Sequence, residues 1–277
     1  MISSKSLRLT SPLASGDPFH GLWRYLSMPL LAFVTVPIVA LLFQVQPGQL
    51  VAGLHDEDVR QAIGLTLFTT PISTALCVLL GTPVAQMLSR KRRTIHYVAD
   101  TIVDLPTILP PSVAGLALLL AFGRHGLLGS PLFSVLGIRI AFTQVAVILA
   151  QAFVSAPFYI KSASIGFATV NRQLKEAACL DGAGPWELFG YVTVPIAWPA
   201  IVSGVVMCWC RALGEFGATI IFAGNYPGRT QTMPLAIYLG FELNLNTALT
   251  LSAILIGFSF AALVVVKMLL SLHAARP

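Results

Sequence analysis

Six apolar runs divide this sequence, and each is long enough to cross a lipid bilayer as an α-helix. A bilayer core of about 30 Å needs about 20 apolar residues per helix. Only 10% of the 277 residues are charged, and 56% are hydrophobic. That is too few charges to cover a water-facing surface. The sequence therefore predicts an all-α membrane protein with six transmembrane helices, at residues 26–45, 63–88, 102–122, 140–160, 192–223 and 247–270.

The basic residues between these runs set the predicted orientation. Loops on the cytoplasmic side of a membrane carry the excess of Lys and Arg. Twelve of the 17 basic residues fall in the segments that share a side with the N-terminus, among them the cluster Arg90, Lys91, Arg92 and Arg93. Four fall on the other side, and Arg211 lies inside the fifth run. Both termini are therefore expected in the cytoplasm, in an N-in/C-in topology.

This topology predicts the organisation of the chain. Residues 1–25 form a cytoplasmic tail, residues 26–270 form the transmembrane domain, and residues 271–277 form a second tail. The first run lacks a clear cleavage site and is read as a retained span rather than a secretory signal. The longest cytoplasmic segment, residues 161–191, is too short for a soluble catalytic domain.

Several classes of function are excluded by what the sequence lacks. The net charge of +6 could suggest nucleic acid, but the charges form short clusters between apolar runs, which is typical of membrane topology. Among the four cysteines, Cys208 and Cys210 form a C-x-C pair, but no second Cys or His pair completes a metal site. No G-x-x-x-x-G-K-[ST] phosphate loop occurs, so a partner must hydrolyse any ATP that the protein uses.

The cytoplasmic loop between runs four and five carries the clearest pattern. Good helix formers precede Gly182 and Gly184, which favour a helix end. Pro185 suits the first turn of a second helix, and Trp186 begins its apolar face. The loop therefore predicts a helix–turn–helix at the membrane surface, suited to docking another protein. The alternative is an amphipathic helix that packs on its own bundle.

This loop resembles the EAA motif of ABC-importer permeases, E-A-A-x3-G-x9-I-x-L-P. The matching residues are Glu176, Ala177, Ala178, Gly182 and Pro195, whereas Val192 and Val194 replace Ile and Leu. The resemblance implies the type I ABC-importer permease fold, with this segment as the coupling loop that sits on an ATPase subunit. The implied coupling residues are the five matches and Trp186.

Two clusters inside the membrane are candidates for the translocation pathway. Arg211 and Glu215 are four residues apart, so they share a helix face and can pair. Such charges usually face a polar interior, and the pair either lines the pathway or fixes helix packing. In run three, Pro110 and Pro111 predict a kinked helix, which either lines the pore or only packs.

The segments around these clusters resemble one branch of the permeases. G-E-F-G-A-T-I-x-F-A-G-N at residues 214–225 and P-G-R-T-Q-T-x-P-L-A-I-Y at residues 227–238 resemble molybdate and tungstate permeases, as does D-L-P-x-x-L-P-P-x-V-A-G at residues 104–115. Sulfate and thiosulfate permeases are similar but tend to read G-E-Y-G and lack the T-Q-T stretch. With these segments, the pathway candidates are Arg211, Gly214, Glu215, Gly217, Thr219, Pro110, Pro111, Ser112 and Asn225.

The resemblance also implies the partners and the location. It implies a homodimer in the bacterial inner membrane, two ATPase subunits that use ATP and Mg²⁺, and an external oxyanion-binding protein. This chain itself would bind no cofactor and would catalyse no reaction. A sulfate or thiosulfate importer is the alternative. An ion-coupled secondary transporter is a remoter one, because neither an internal repeat nor several buried carboxylates are evident.

Overall fold

The computed structural model describes residues 20–90 and 94–274 of the chain. Residues 1–19 and 275–277 of the predicted tails lie outside these ranges, as do Lys91, Arg92 and Arg93, whereas residues 20–25 and 271–274 belong to helices. Within the described ranges every regular element is a helix, which confirms the all-α prediction. In chain order they are α1 (His20–Gln44), α2 (Pro47–His55), α3 (Glu57–Leu88), α4 (Thr94–Ile108), α5 (Pro111–Phe122), α6 (Gly129–Leu136), α7 (Gln144–Thr169), α8 (Arg172–Leu180), α9 (Pro185–Glu187), a π-helical turn (Leu188–Thr193), α10 (Val194–Leu213), α11 (Gly217–Phe222), α12 (Met233–Leu243) and α13 (Leu245–Ala274).

Five helical stretches in these ranges are long and apolar enough to cross a membrane. They are Tyr25–Gln44, Glu57–Leu88, Gln144–Thr169, Pro185–Leu213 and Leu245–Val265. A sixth span results if α4 and α5 count as one broken helix. The chain divides into two compact units, Met1–Val45 and Gln46–Pro277. In the first unit α1 is a single uninterrupted helix although it contains Pro29 and Pro37.

Helices α3, α7 and α10 form the centre of the second unit. Small residues let their backbones approach closely, as is common between membrane helices. A Cβ atom at Gly204 of α10 would lie 2.9 Å from the Cβ of Ser162, and one at Gly81 of α3 would lie 2.9 Å from Ile160. Large side chains fill the remaining space, and Tyr159 and Phe167 of α7 are each only 1% exposed.

The third apolar run forms two helices instead of one kinked helix. Helices α4 and α5 meet at an angle of 115°. Pro110 occupies the N-cap of α5 and Pro111 its first turn. Proline lacks an amide hydrogen and disfavours helical geometry in the residue before it, so two consecutive prolines end α4. The predicted kink is therefore a full break.

The ends of other helices also differ from those of the predicted runs. Helix α7 continues to Thr169, so the predicted loop of residues 161–191 begins as membrane helix. Lys161 lies in that helix, and its ammonium group is 2.5 Å from Asp100 and 2.8 Å from Asp104 of α4. The fifth run ends as a helix at Leu213, and a break separates it from α11.

Candidate functional site

Helix α8 carries Glu176, Ala177 and Ala178 of the EAA motif and has no buried side chain. Its first turn is capped by the side chain of Asn171, which accepts a hydrogen bond from the Gln173 amide at 2.9 Å. Arg172 and Glu176 form an exposed ion pair of 2.6 Å along the helix. A helix of nine residues is marginal by itself, so this exposed one is suited to a partner that covers it.

Gly182 makes the turn that the sequence predicts at the end of this helix. Its φ angle is +92°, in the region that favours glycine. The Gly182 amide donates to the Cys179 carbonyl at 3.1 Å, and the Ala183 amide donates to the Ala178 carbonyl at 3.0 Å. These bonds satisfy carbonyl groups at the helix end. The chain then starts α9 at Pro185, as predicted.

Three large apolar side chains around this turn are almost fully exposed. Leu180 is 89%, Trp186 is 86% and Tyr191 is 82% exposed. Phe189, in contrast, packs edge-on against Phe167 of α7 at 5.7 Å between ring centroids. The segment is thus packed against α7 through Phe189, and it presents the other three apolar side chains at the surface. We name the group Arg172, Glu176, Leu180, Trp186 and Tyr191 the coupling surface.

The remaining predicted coupling residues flank this surface. Ala177 is exposed and Ala178 is half-buried on α8, and Pro195 is an exposed residue in the first turn of α10. The structure therefore brings the matched residues onto one exposed segment that continues directly into a membrane helix.

The second candidate site lies where α10 ends. Arg211 and Glu215 form an ion pair of 2.9 Å, as their spacing predicts, although Glu215 stands beyond the helix end. The Glu215 side chain is 1% exposed and that of Arg211 is 30% exposed. The second carboxylate oxygen accepts a hydrogen bond from the Ala218 amide at 2.8 Å. Both oxygens of this buried carboxylate therefore have a partner.

The proline cluster and the arginine cluster meet at the two helix breaks. A Cβ atom at Gly217 would clash with the ring of Pro111, and one at Gly115 would lie 2.7 Å from the Ala218 carbonyl oxygen. Only glycine leaves room for these approaches. We name the group Pro111, Gly115, Arg211, Glu215 and Gly217 the helix-break site.

The other pathway candidates differ in their surroundings. Thr219 is buried, and its hydroxyl has no hydrogen-bond partner among the described residues. The side-chain oxygen of Asn225 is also buried and unpaired within the described part of the chain. Ser112 and Gly214 are exposed, and Pro110 lies between α4 and α5. Thr219 and Asn225 thus retain free hydrogen-bonding capacity close to the helix-break site in sequence.

A buried stripe of hydroxyl groups on α3 is not among the residues that the sequence predicts for the site. Thr66 accepts a hydrogen bond from the Met233 amide at the start of α12, at 2.8 Å, and Thr70 accepts one from the indole of Trp209, at 3.0 Å. Helical spacing of polar residues in an apolar run is the signal that could have identified it, at Thr66, Thr69, Thr70, Ser73 and Thr74.

The cluster of Lys161 with Asp100 and Asp104 is likewise not among the residues that the sequence predicts for the site. The two carboxylates are four residues apart, so they share a face of α4. Both contact the one ammonium group, and all three side chains are between 33% and 49% exposed. The predicted apolar run ends at residue 160, which places Lys161 in the loop.

Comparison with known proteins assigns the chain to a family. A family model described as "Binding-protein-dependent transport system inner membrane component" matches residues 77–275. The chain belongs to this family. It is a multi-pass inner-membrane permease of a bacterial ABC importer, which works with a separate ATPase and an external binding protein and has no catalytic activity itself.

Individual relatives agree with this assignment. The molybdenum transport system permease protein ModB of Mycobacterium tuberculosis is 41% identical over 245 residues, which cover 87% of this chain and 92% of that protein. The sulfate transport system permease protein CysW of Synechococcus elongatus is 35% identical over 227 residues, which cover 82% and 79%. A solved bacterial alginate ABC transporter has the same fold, with a TM-score of 0.68 at 20% identity over 90% of this chain and 93% of that one.

Proposed function

We propose that this permease conducts molybdate, or the closely similar tungstate, across the inner membrane. The observation that carries the proposal is the 41% identity to the molybdenum permease of M. tuberculosis over 87% of the chain. The motifs at residues 104–115, 214–225 and 227–238 resemble those of molybdate and tungstate permeases and support the same cargo. Two copies of the chain form the pathway, in the proposed N-in/C-in orientation.

In this proposal the coupling surface contacts the ATPase. ATP binding closes the ATPase dimer, and the exposed segment transmits the movement into α10, because the two are continuous through the π-helical turn. The pathway helices then alternate between inward and outward openings. The transporter is thus an assembly with two states, and ATP and the transported anion shift the equilibrium between them.

The helix-break site is proposed to shape the pathway at the other end of α10. The charge of Arg211 is largely balanced by Glu215, so the site attracts an anion without holding it tightly. Neutral groups such as the hydroxyl of Thr219 and the amide of Asn225 offer weak contacts to a passing oxyanion. Conduction requires that a bound ion also leaves readily, which favours such a site over a fully exposed arginine.

Sulfate is the second candidate cargo, and the 35% identity to CysW supports it. Sulfate, molybdate and tungstate are all tetrahedral dianions, so the external binding protein is expected to make most of the selection. Against sulfate, this sequence has Phe216 where those permeases tend to have Tyr, and it retains Thr230, Gln231 and Thr232.

The test is uptake by proteoliposomes that contain this permease with its ATPase and binding protein. Radiolabelled molybdate is expected to enter in an ATP-dependent manner. An excess of tungstate is expected to inhibit this uptake far more than the same concentration of sulfate. An ATPase variant without its phosphate-loop lysine is the control for ATP-driven uptake. Preferred transport of sulfate would overturn the proposed cargo and leave the permease assignment intact.

A further inference from the structure

A deep apolar groove lies between the C-terminal half of α3 and the segment that follows Gly184. Its volume is about 690 Å³. Its apolar lining includes Val78, Leu79, Pro83, Met87, Trp186 and Phe189. We name it the α3 groove. Leu79 and the adjacent Leu80 are 72% and 61% exposed, so this side of α3 is open in the single chain.

The length of the α3 groove matches one leaflet of a bilayer. Val78 and Leu88 are ten residues apart along α3, which corresponds to about 15 Å of helix, and Arg90 follows two residues beyond the helix end. Half of a hydrocarbon core of about 30 Å is about 15 Å. The groove is therefore about as long as one leaflet is thick, and an acyl chain matches its length.

The groove lining also includes the polar side chains of Gln86, Arg90 and His96, near the end of α3 and the start of α4. Arg90 is exposed and forms no ion pair with any residue in the described ranges. Gln86 has a buried side-chain oxygen that accepts no hydrogen bond within those ranges. The exposed guanidinium of Arg90 is therefore the cation that the groove offers to a phosphate.

We propose that the α3 groove binds one anionic phospholipid of the cytoplasmic leaflet. An acyl chain lies along α3 against Phe189, and the phosphate pairs with Arg90. Trp186 lies at the mouth of the groove, a position at the membrane–water interface that tryptophan favours. The name of the leaflet rests on the proposed orientation of the chain, whereas the binding itself does not depend on the cargo.

This lipid would touch the segment that carries the coupling surface. Trp186 and Phe189 line the groove and belong to the stretch between Gly182 and α10. The bound lipid would therefore fill the space behind this stretch and hold it in a fixed position relative to α3. The inference goes beyond the transport function, because it adds a membrane component to the coupling apparatus.

The fluorescence of Trp186 provides the test, because bromine atoms on an acyl chain quench a nearby indole. The permease–ATPase complex is titrated with brominated phosphatidylglycerol or with phosphatidylcholine that carries the same chains. The signal of Trp186 is the difference between wild type and Trp186→Phe. Half-quenching is expected at about fivefold less phosphatidylglycerol than phosphatidylcholine, the scale of one basic residue at an anionic surface.

Two variants separate a bound lipid from the bulk bilayer. Arg90→Gln is expected to abolish the preference for phosphatidylglycerol, whereas Arg124→Gln, at an exposed arginine beyond α5, is expected to keep it. Val78→Phe fills the groove and is expected to reduce quenching by both lipids, which bulk contact would not show. Equal quenching by the two lipids in wild type, or a preference that survives Arg90→Gln, would overturn the proposal. So would quenching that Val78→Phe leaves unchanged.

Discussion

At the scale of single residues, the ion pair at the end of α10 is strongly asymmetric. The Glu215 carboxylate is almost fully buried, while part of Arg211 reaches the surface of the chain. Removing one partner of a buried pair leaves the other charge uncompensated. The cost therefore depends on which partner is left, and the two halves of this pair are not equivalent.

We expect Arg211→Gln to destabilise the permease more than Glu215→Gln. The first leaves a buried carboxylate with only the Ala218 amide, at a cost of about 3–5 kcal/mol. The second leaves a partly exposed arginine and keeps a neutral acceptor, at a cost of about 1–2 kcal/mol. Thermal unfolding in detergent measures the order of the two midpoints.

The matched control is Glu57→Gln, which removes the exposed partner of Arg60. Exposed pairs contribute little, so its midpoint is expected to stay within experimental error of wild type. Glu215→Gln is also expected to lower uptake in proteoliposomes more than it lowers recovery of the assembled complex. A Glu215→Gln variant less stable than Arg211→Gln would contradict the asymmetry.

At the scale of elements, the turn at Gly182 sets the relation between α8 and α9. Gly182→Ala is expected to lower co-purification of the ATPase, because a side chain is strained at a φ angle of +92°. The space around this position is otherwise open, so membrane insertion should be unaffected. Pull-down of the ATPase with the purified variant measures the effect.

Gly190→Ala is the control in the same segment. The space beside Gly190 is also open, and its φ angle is not positive. This variant is therefore expected to bind the ATPase as wild type does. Equal recovery of the ATPase with both variants would remove the argument that the turn positions the docking segment.

Elements that depend on local sequence were predicted well. The apolar runs located every candidate span, and Gly182 and Pro185 located a turn between two short helices. The ion pair of Arg211 with Glu215 follows from their spacing alone. Each of these features is set by residues within a few positions of one another, so the chain itself contains the information.

Features that depend on packing between distant segments could not be predicted. Nothing local indicates that Gly217 touches Pro111, about a hundred positions earlier in the chain, or that Lys161 pairs with Asp100. Pro110 and Pro111 indicated a kink, but the angle of 115° requires neighbours that satisfy the freed backbone groups. The end of α7 differs from the predicted end for a related reason. A lysine that is paired with carboxylates is tolerated inside a membrane span, whereas an unpaired lysine is costly there.

At the scale of the whole molecule, the native cysteines provide a test of orientation. Cys179 is exposed on α8, Cys77 and Cys208 are buried, and Cys210 is half-buried. A membrane-impermeant maleimide is expected to label inside-out vesicles at Cys179 and to leave intact spheroplasts unlabelled. Bound ATPase is expected to protect Cys179, because the residue lies beside Glu176 and Leu180 of the coupling surface.

A second cysteine checks the opposite side of the membrane. In a Cys179→Ser background, Ser134→Cys places an exposed thiol on α6, which the topology assigns to the outside. This variant is expected to show the reverse labelling pattern. Labelling of Cys179 in intact spheroplasts would invert the proposed orientation.

The exposure of Leu180, Trp186 and Tyr191 has a consequence for biosynthesis. In the proposed assembly Leu180, Tyr191 and the part of Trp186 outside the α3 groove face water until the ATPase arrives, so a newly inserted permease carries an exposed apolar surface. Apolar patches of this kind promote aggregation. A cell that makes this subunit in excess would have to degrade the surplus, and synthesis of the two proteins in matched amounts would avoid that loss.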